Sequence, residues 1–184
     1  ELGAGATAAD LAADIGPGLA KAALIATIDG EQVDLNVELT DGATVALITD
    51  RQDEGLETIR HSTSHVLAQA VLELWPGSTF AIGPPIEHGF YYDFELPGGA
   101  TFTDEDLERI DAKMREIIAT KDPVRTEVWD RPRAIKHYED NNEPYKVELI
   151  EGIPGDEPLR MYWHGEWQDL CRGPHLAHTG QVPP

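Results

Sequence analysis

Glu57-Thr-Ile-Arg-His-Ser-Thr-Ser-His-Val-Leu-Ala-Gln-Ala-Val-Leu-Glu-Leu-Trp75 decides how the chain of 184 residues is read. Leu56, Ile59, Thr63, Val66, Leu67, Ala70 and Leu74 recur at three- and four-residue spacing, which predicts an amphipathic helix ending before Pro76-Gly77. His61 and His65 are four apart, so a helix stacks both imidazoles on one face, roughly opposite the apolar stripe. Ala68 and Leu72 share that face instead of Lys or Glu, so it reads as partly covered, as one wall of a cleft would be.

Upstream of this helix the periodicity is different. Thr7 can cap a short helix from Ala8 to Ile15, stopped by Gly16-Pro17-Gly18, with another helical turn at Leu19 to Ala23. Leu24 to Ile28, Asp29-Gly30 and Glu31 to Leu35 follow as strand, turn and strand, and Ala43 to Thr49 is a further strand. Strands wrapped on a small helix suggest a ubiquitin-like β-grasp unit. The polar run Asp50 to Gly55 reads as a linker, which divides the chain into domains 1–50 and 51–184.

Downstream, Phe80 to Ile86 and Gly89 to Leu96 read as two strands around a Gly/Pro turn. Thr103-Asp-Glu-Asp106 has the capping-box form and opens a helix through Leu107, Ile110, Met114 and Ile117. Thr126 to Trp129 reads as a strand, Pro132 to Asn141 as a helix, and Tyr145 to Ile150 and Leu159 to His164 as strands. Strand and helix mix without regular βαβ alternation, so the fold class is α+β: a small β-grasp domain followed by a larger mixed α+β domain.

One cysteine, Cys171, rules out an internal disulfide framework and suits a reducing compartment. No run has the length of a membrane span, and Glu1-Leu-Gly-Ala-Gly-Ala lacks the basic and apolar regions of a signal peptide, so a soluble cytoplasmic protein is expected. The net charge of −20 opposes nucleic-acid binding by the chain as a whole. It is unevenly spread, however. Residues 1–50 hold nine acids and one base, whereas 109–136 hold eight bases (Arg109, Lys113, Arg115, Lys121, Arg125, Arg131, Arg133 and Lys136) against five acids. A solvated helix face with local ion pairs is the ordinary account of such a pattern.

A second reactive pair, Cys171-Arg-Gly-Pro-His175, is also four apart, but Gly173 and Pro174 disfavour a helix. A tight loop would bring thiol and imidazole together and leave backbone N–H groups for an oxyanion. Three histidines and a cysteine (His61, His65, Cys171 and His175) are a sensible zinc set. The same groups could act without metal, with His as general base and Cys as donor or nucleophile.

With these motifs on view, the sequence resembles the amino-terminal region of bacterial threonyl-tRNA synthetases. The resemblance rests on His61-Ser-Thr-Ser-His65 with Leu74-Trp75-Pro76, Ala81-Ile-Gly-Pro84, Gly89-Phe-Tyr-Tyr-Asp93, Tyr145-Lys-Val147 and Asp169-Leu-Cys-Arg-Gly-Pro-His175, with Asp14-Ile-Gly-Pro-Gly-Leu-Ala-Lys21 in the β-grasp portion. In that family a TGS β-grasp domain precedes an editing domain with HxxxH and CxxxH pairs, shared with alanyl-tRNA editing proteins. The resemblance implies hydrolysis of mischarged seryl-tRNA(Thr), with tRNA(Thr) as partner together with the synthetase's catalytic and anticodon-binding domains. It also implies that domain 1–50 is incomplete at its start and 51–184 truncated at its end. Carried over by position, His61, His65, Cys171 and His175 form the site, Lys146 and Asp169 join the catalytic set, and Tyr92 lines it. Without the resemblance, Tyr92 reads as core and Lys146, alternating with Tyr145 and Val147, as a surface residue. Arg109, Lys113, Arg125 and Arg133 are the expected tRNA contacts. No cofactor is required, with zinc possible at the Cys/His cluster. A free-standing zinc-dependent deacylase and a non-catalytic docking module are the alternative functions.

Overall fold

The computed structural model describes residues 2–183, so Glu1 and Pro184, the outer bounds of the two expected domains, lie outside the described residues. Thr7 opens helix α1 (Ala8–Ile15) through a reciprocal capping box: its hydroxyl accepts from the Asp10 N–H at 3.2 Å, and the Asp10 carboxylate accepts from the Thr7 N–H at 2.8 Å. The helix stops after Ile15 as expected, but the next one begins two residues before the expected Leu19, at Pro17. Pro17 occupies the first position of α2 (Pro17–Ala22), where its fixed φ fits and its missing N–H costs nothing.

Strand β1 (Ala23–Ile28) then turns through Asp29 and Gly30, both at positive φ, into β2 (Glu31–Asp34). With β3 (Val45–Thr49) it forms an antiparallel sheet of order β2-β1-β3. Ala8, Ala12, Ala23, Ala26 and Leu35 make the small core of this β-grasp unit.

The expected linker is shorter than the polar run suggests, because helix α3 (Asp53–Leu74) already begins inside it. Gly55 lies in the first turn of α3 and is buried against the end of β3, where any Cβ would overlap the Thr49 carbonyl. Leu24 of β1 joins the core that Val66, Ala70 and Val71 of α3 share with Leu96, Ile110, Ile117, Leu176 and Val182. The two halves of the chain are therefore packed together at their junction. The middle of α3 is covered on more than the predicted stripe, with Ser62, Ser64, His65, Ala68 and Gln69 buried as well and Leu56 exposed.

The two strands expected between 80 and 96 are broken into two short ladders. Strand β4 (Thr79–Phe80) pairs with β7 (Phe94–Glu95), and β5 (Pro85–Ile86) with β6 (Gly89–Phe90). Consecutive prolines at 84 and 85 deprive the intervening segment of ladder donors. Helix α4 (Asp104–Thr120) carries the predicted Thr103 capping box and packs on α3 through Ile110 and Ile117.

Strand β8 (Val124–Trp129), helix α5 (Arg131–Asp140), helix α6 (Pro144–Gly152), strand β9 (Leu159–His164) and strand β10 (Trp167–Leu170) complete the second unit, with an antiparallel sheet of order β10-β9-β8. The strand expected at 145–150 is instead α6. Pro144 sets its first turn, and Lys146 and Ile150, four apart, point inward together. Ile150 joins Trp129, Ala134, Tyr138, Leu159 and Met161 in a second core. No helix among the described residues is long and apolar enough to cross a membrane.

Candidate active site

Small side chains in His61-Ser-Thr-Ser-His65 let other segments approach α3 closely. Thr63 folds its hydroxyl back onto the Ile59 carbonyl at 2.7 Å, and Ser64 donates to the carbonyls of His61 at 2.7 Å and Gly83 at 3.0 Å. Gly83 is pressed against the Tyr92 ring, which a Cβ would overlap. Ser62 reaches the opposite way. Its Oγ accepts from the Leu176 N–H at 3.1 Å and lies 3.0 Å from His175 Nδ1.

As expected, Cys171 to His175 is a loop, and it brings thiol and imidazole together, with Cys171 Sγ 3.0 Å from His175 Nε2. Both nitrogens of His175 are thereby engaged. The imidazole of His175 stacks near His61 at 4.2 Å and His65 at 4.1 Å between ring centroids. One ligand atom from each of His61, His65, Cys171 and His175 lies within 4.8 Å of the others.

The expectation that the loop leaves its N–H groups to an oxyanion is not met at Cys171 or His175. The Cys171 N–H donates to the Arg160 carbonyl at 3.2 Å, and the His175 N–H to Asp34 Oδ1 at 2.7 Å. These two bonds fix the loop at its two ends.

Beside the cluster, Lys146 and Asp169 meet at 2.5 Å with 1% and 2% of their side chains exposed. Tyr92 donates its O–H to Asp169 Oδ2 at 2.6 Å, and the Leu170 N–H donates to Oδ1 at 2.7 Å. The Lys146 ammonium also lies 4.3 Å from the centroid of the Phe80 ring. Lys146 is thus no surface residue: α6 turns it into the interior, where Asp169 compensates its charge.

Burial sets the protonation of the cluster. It holds His61 down at about 4, offset in part by the nearby Pro174 backbone, and His65 and His175 well below the usual histidine range. His65 Nε2 lies 3.8 Å from Asp169 Oδ2, but a neutral imidazole there makes a polar contact and not an ion pair. Burial, and then Asp169, push the Cys171 thiol well above its usual range. At neutral pH the site presents neutral imidazoles, a thiol, and one compensated Lys–Asp pair.

Three imidazoles and a thiol at this separation are donors that zinc accepts, so His61, His65, Cys171 and His175 could hold that ion. It would displace the direct Cys171–His175 contact.

The basic residues expected to meet RNA are scattered over three elements and mostly paired already. Arg109 meets Asp106 at 2.9 Å, Lys113 meets Glu116 at 2.7 Å, and Arg133 meets Glu127 at 3.5 Å while stacking 3.9 Å from the Trp129 ring centroid. Arg125 lies over Trp163. Arg131, counted in the same basic run, is structural: it donates to the carbonyls of Ile150, Ile153 and Pro154.

His164 has no partner at ligand spacing in the sequence, yet it borders the cluster. It is buried at 3% exposure, its ring 6.4 Å from His65 and 4.7 Å from Trp167. No alternation marks it, because β9 buries Met161 on one face and Tyr162 and His164 on the other. Asp34 also escapes sequence reasoning, because its partners lie in the other half of the chain.

The described residues thus form a β-grasp unit followed by a mixed α+β unit in which a Cys/His cluster lies beside a buried Lys–Asp pair. Residues 1–49 match the TGS domain, and residues 159–184 match the threonyl and alanyl tRNA synthetase second additional domain. Across its whole length the chain is similar to the amino-terminal region of threonine–tRNA ligases. It is 59% identical over 184 residues to that of Dinoroseobacter shibae, covering 100% of this chain and 28% of the relative. With the Ruegeria sp. (strain TM1040) enzyme it shares 58% over 181 residues, 98% of this chain and 28% of the relative. With the Rhodospirillum rubrum enzyme it shares 53% over 176 residues, 96% and 27% respectively. The chain therefore spans little more than a quarter of the length of the curated relatives it matches.

Proposed function

We propose that this chain hydrolyses mischarged seryl-tRNA(Thr), acting as the editing region of a cytoplasmic threonine–tRNA ligase, with domains 1–50 and 51–184 as its TGS and editing units. The observation that carries this reading is the meeting of His61, His65, Cys171 and His175 within 4.8 Å, beside the buried Lys146–Asp169 pair. Serine lacks one methyl of threonine, and a missing methylene yields only about 1–3 kcal/mol of discrimination in a binding pocket. A second site that cleaves the wrong ester supplies the rest.

Water attacks the seryl carbonyl, its oxygen forms the new C–O bond, and the ester bond to the terminal ribose breaks. Serine and a free ribose hydroxyl result. Burial keeps His61 neutral at pH 7, so a ring nitrogen is suited to accept the proton of that water. Cys171, a protonated thiol, is suited to donate a hydrogen bond to the substrate. Lys146 and Asp169 are too deeply buried to move with the substrate. They and Tyr92 form the fixed polar wall against which the seryl group is oriented, while Arg109, Lys113, Arg125 and Arg133 attract tRNA(Thr).

A zinc-dependent reading is favoured only by the donor set. Held by all four residues the ion would be structural, and only if one of the four left it a place for water could it lower that water's pKa. The test is release of serine from seryl-tRNA(Thr) by excess chain, with His61→Ala and Cys171→Ala alongside and zinc measured in each preparation. Both variants should stay folded and lose about 10²-fold or more in rate. A structural zinc site would instead lose its fold with its ligands.

A further inference from the structure

We infer that Asp34, at the end of β2 in the amino-terminal unit, is a positioning residue that sets the Cys171–His175 loop. Its role in catalysis rests on the deacylase reading above. Its carboxylate crosses from the β-grasp unit into the second unit and accepts three hydrogen bonds there. The His175 N–H donates to Oδ1 at 2.7 Å, and the Tyr162 and Thr126 hydroxyls donate to Oδ2 at 2.9 and 3.1 Å. The His175 N–H can only donate, so it needs an acceptor at this position, whereas the two hydroxyls donate here and could also accept.

The same hydroxyl of Tyr162 that bonds Asp34 fills the space beside Gly173, where a Cβ would overlap it. The Tyr162 ring in turn packs 4.6 Å from the His175 imidazole. The loop is thus fixed at three points. Cys171 is held by the Arg160 carbonyl, Gly173 is backed by Tyr162, and His175 is tethered by Asp34 through its backbone and by Ser62 at its Nδ1. Removing the Asp34 tether frees the His175 backbone and Tyr162 together, so the Cys171–His175 contact is set in part by a residue of the other unit. The β-grasp unit is then a component of the hydrolytic site.

Asp34→Ala removes both acceptor oxygens and with them all three bonds. In the wild-type chain and this variant we would measure the single-turnover rate at saturating seryl-tRNA(Thr), the half-saturating concentration, and the rate of Cys171 alkylation by iodoacetamide. A fall of about tenfold in the saturating rate is expected, with little change in half-saturation and several-fold faster alkylation. Leu24→Ala loosens the same junction through its apolar packing. It should lower stability while leaving the saturating rate near wild type.

If Asp34→Ala does not fold, Tyr162→Phe with Thr126→Val removes two of the three donors and should shift the same readouts in the same direction. Wild-type rate and alkylation in Asp34→Ala would overturn the inference. So would a saturating rate that falls as far in Leu24→Ala. Should wild type release no serine, the deacylase reading fails separately, and the alkylation comparison still decides whether Asp34 sets the loop.

Discussion

Lys146 Nζ meets Asp169 Oδ1 at 2.5 Å in the interior, and Asp169 is held from its other side by the Tyr92 hydroxyl. Two buried charges contribute little net stability as a pair, but a lone one is costly. Lys146→Met should therefore cost about 3–5 kcal/mol in urea or thermal unfolding. Adding Asp169→Asn should recover part of that loss, because the amide keeps an acceptor for Tyr92 without a charge. Equal losses in the single and double variants would show that the pair is not what Lys146 contributes.

Two buried groups give stability opposite pH dependences. Burial lowers His164 to about 4 from the usual 6.5. The unfolded chain therefore binds its proton first, and stability present above pH 6.5 is lost as pH falls through about 4. That difference is worth about 3 kcal/mol, and His164→Phe should flatten this acid limb. Burial raises Glu143 to about 7 from 4.5, offset in part by the nearby Phe80 backbone and the Lys146 charge. Its contribution is present below pH 4.5 and lost as pH rises through about 7. Glu143→Gln should match wild type near pH 4 and be more stable at pH 8. Melting curves between pH 4 and 8 test both, and a Glu143→Gln gain that is independent of pH would contradict the assignment.

Most bases of the 109–136 run already have carboxylate partners, so RNA would have to exchange those partners to bind there. Replacing Arg109, Lys113, Arg125 and Arg133 by Gln should weaken tRNA binding across sequences and flatten its salt dependence by roughly one unit of slope for each phosphate no longer neutralised. Titration at several salt concentrations measures this. An unchanged slope would move the RNA interface elsewhere.

Local chemistry carried much of this architecture. The His61/His65 spacing on a helix, the Thr103 capping box and the non-helical Cys171–His175 loop all depend on neighbours within a turn or two, and each is found where its residues predict. Tyr145 to Ile150 reads as a strand because its alternation of apolar and charged residues mimics one, while Pro144 at the first helical position is the only nearby residue that favours a helix start. Burial of Lys146 was illegible for the same reason: its inward face exists only once α6 is helical. Strand β10 depends on the turn at Gly165, whose φ is +58, and on pairing with β9. Asp34 left no local trace at all. Its bonds reach residues 92, 128 and 141 positions away, so nothing near it in sequence marks it as part of the site.

The central claim is that the Cys/His cluster cleaves the serine ester and spares the threonine ester. Its most direct test is single-turnover release of amino acid from seryl-tRNA(Thr) and from threonyl-tRNA(Thr), each mixed with excess chain. The account predicts rapid release of serine and release of threonine near background. Equal release of both, or release of neither by a chain that is folded and binds the tRNA, would contradict it.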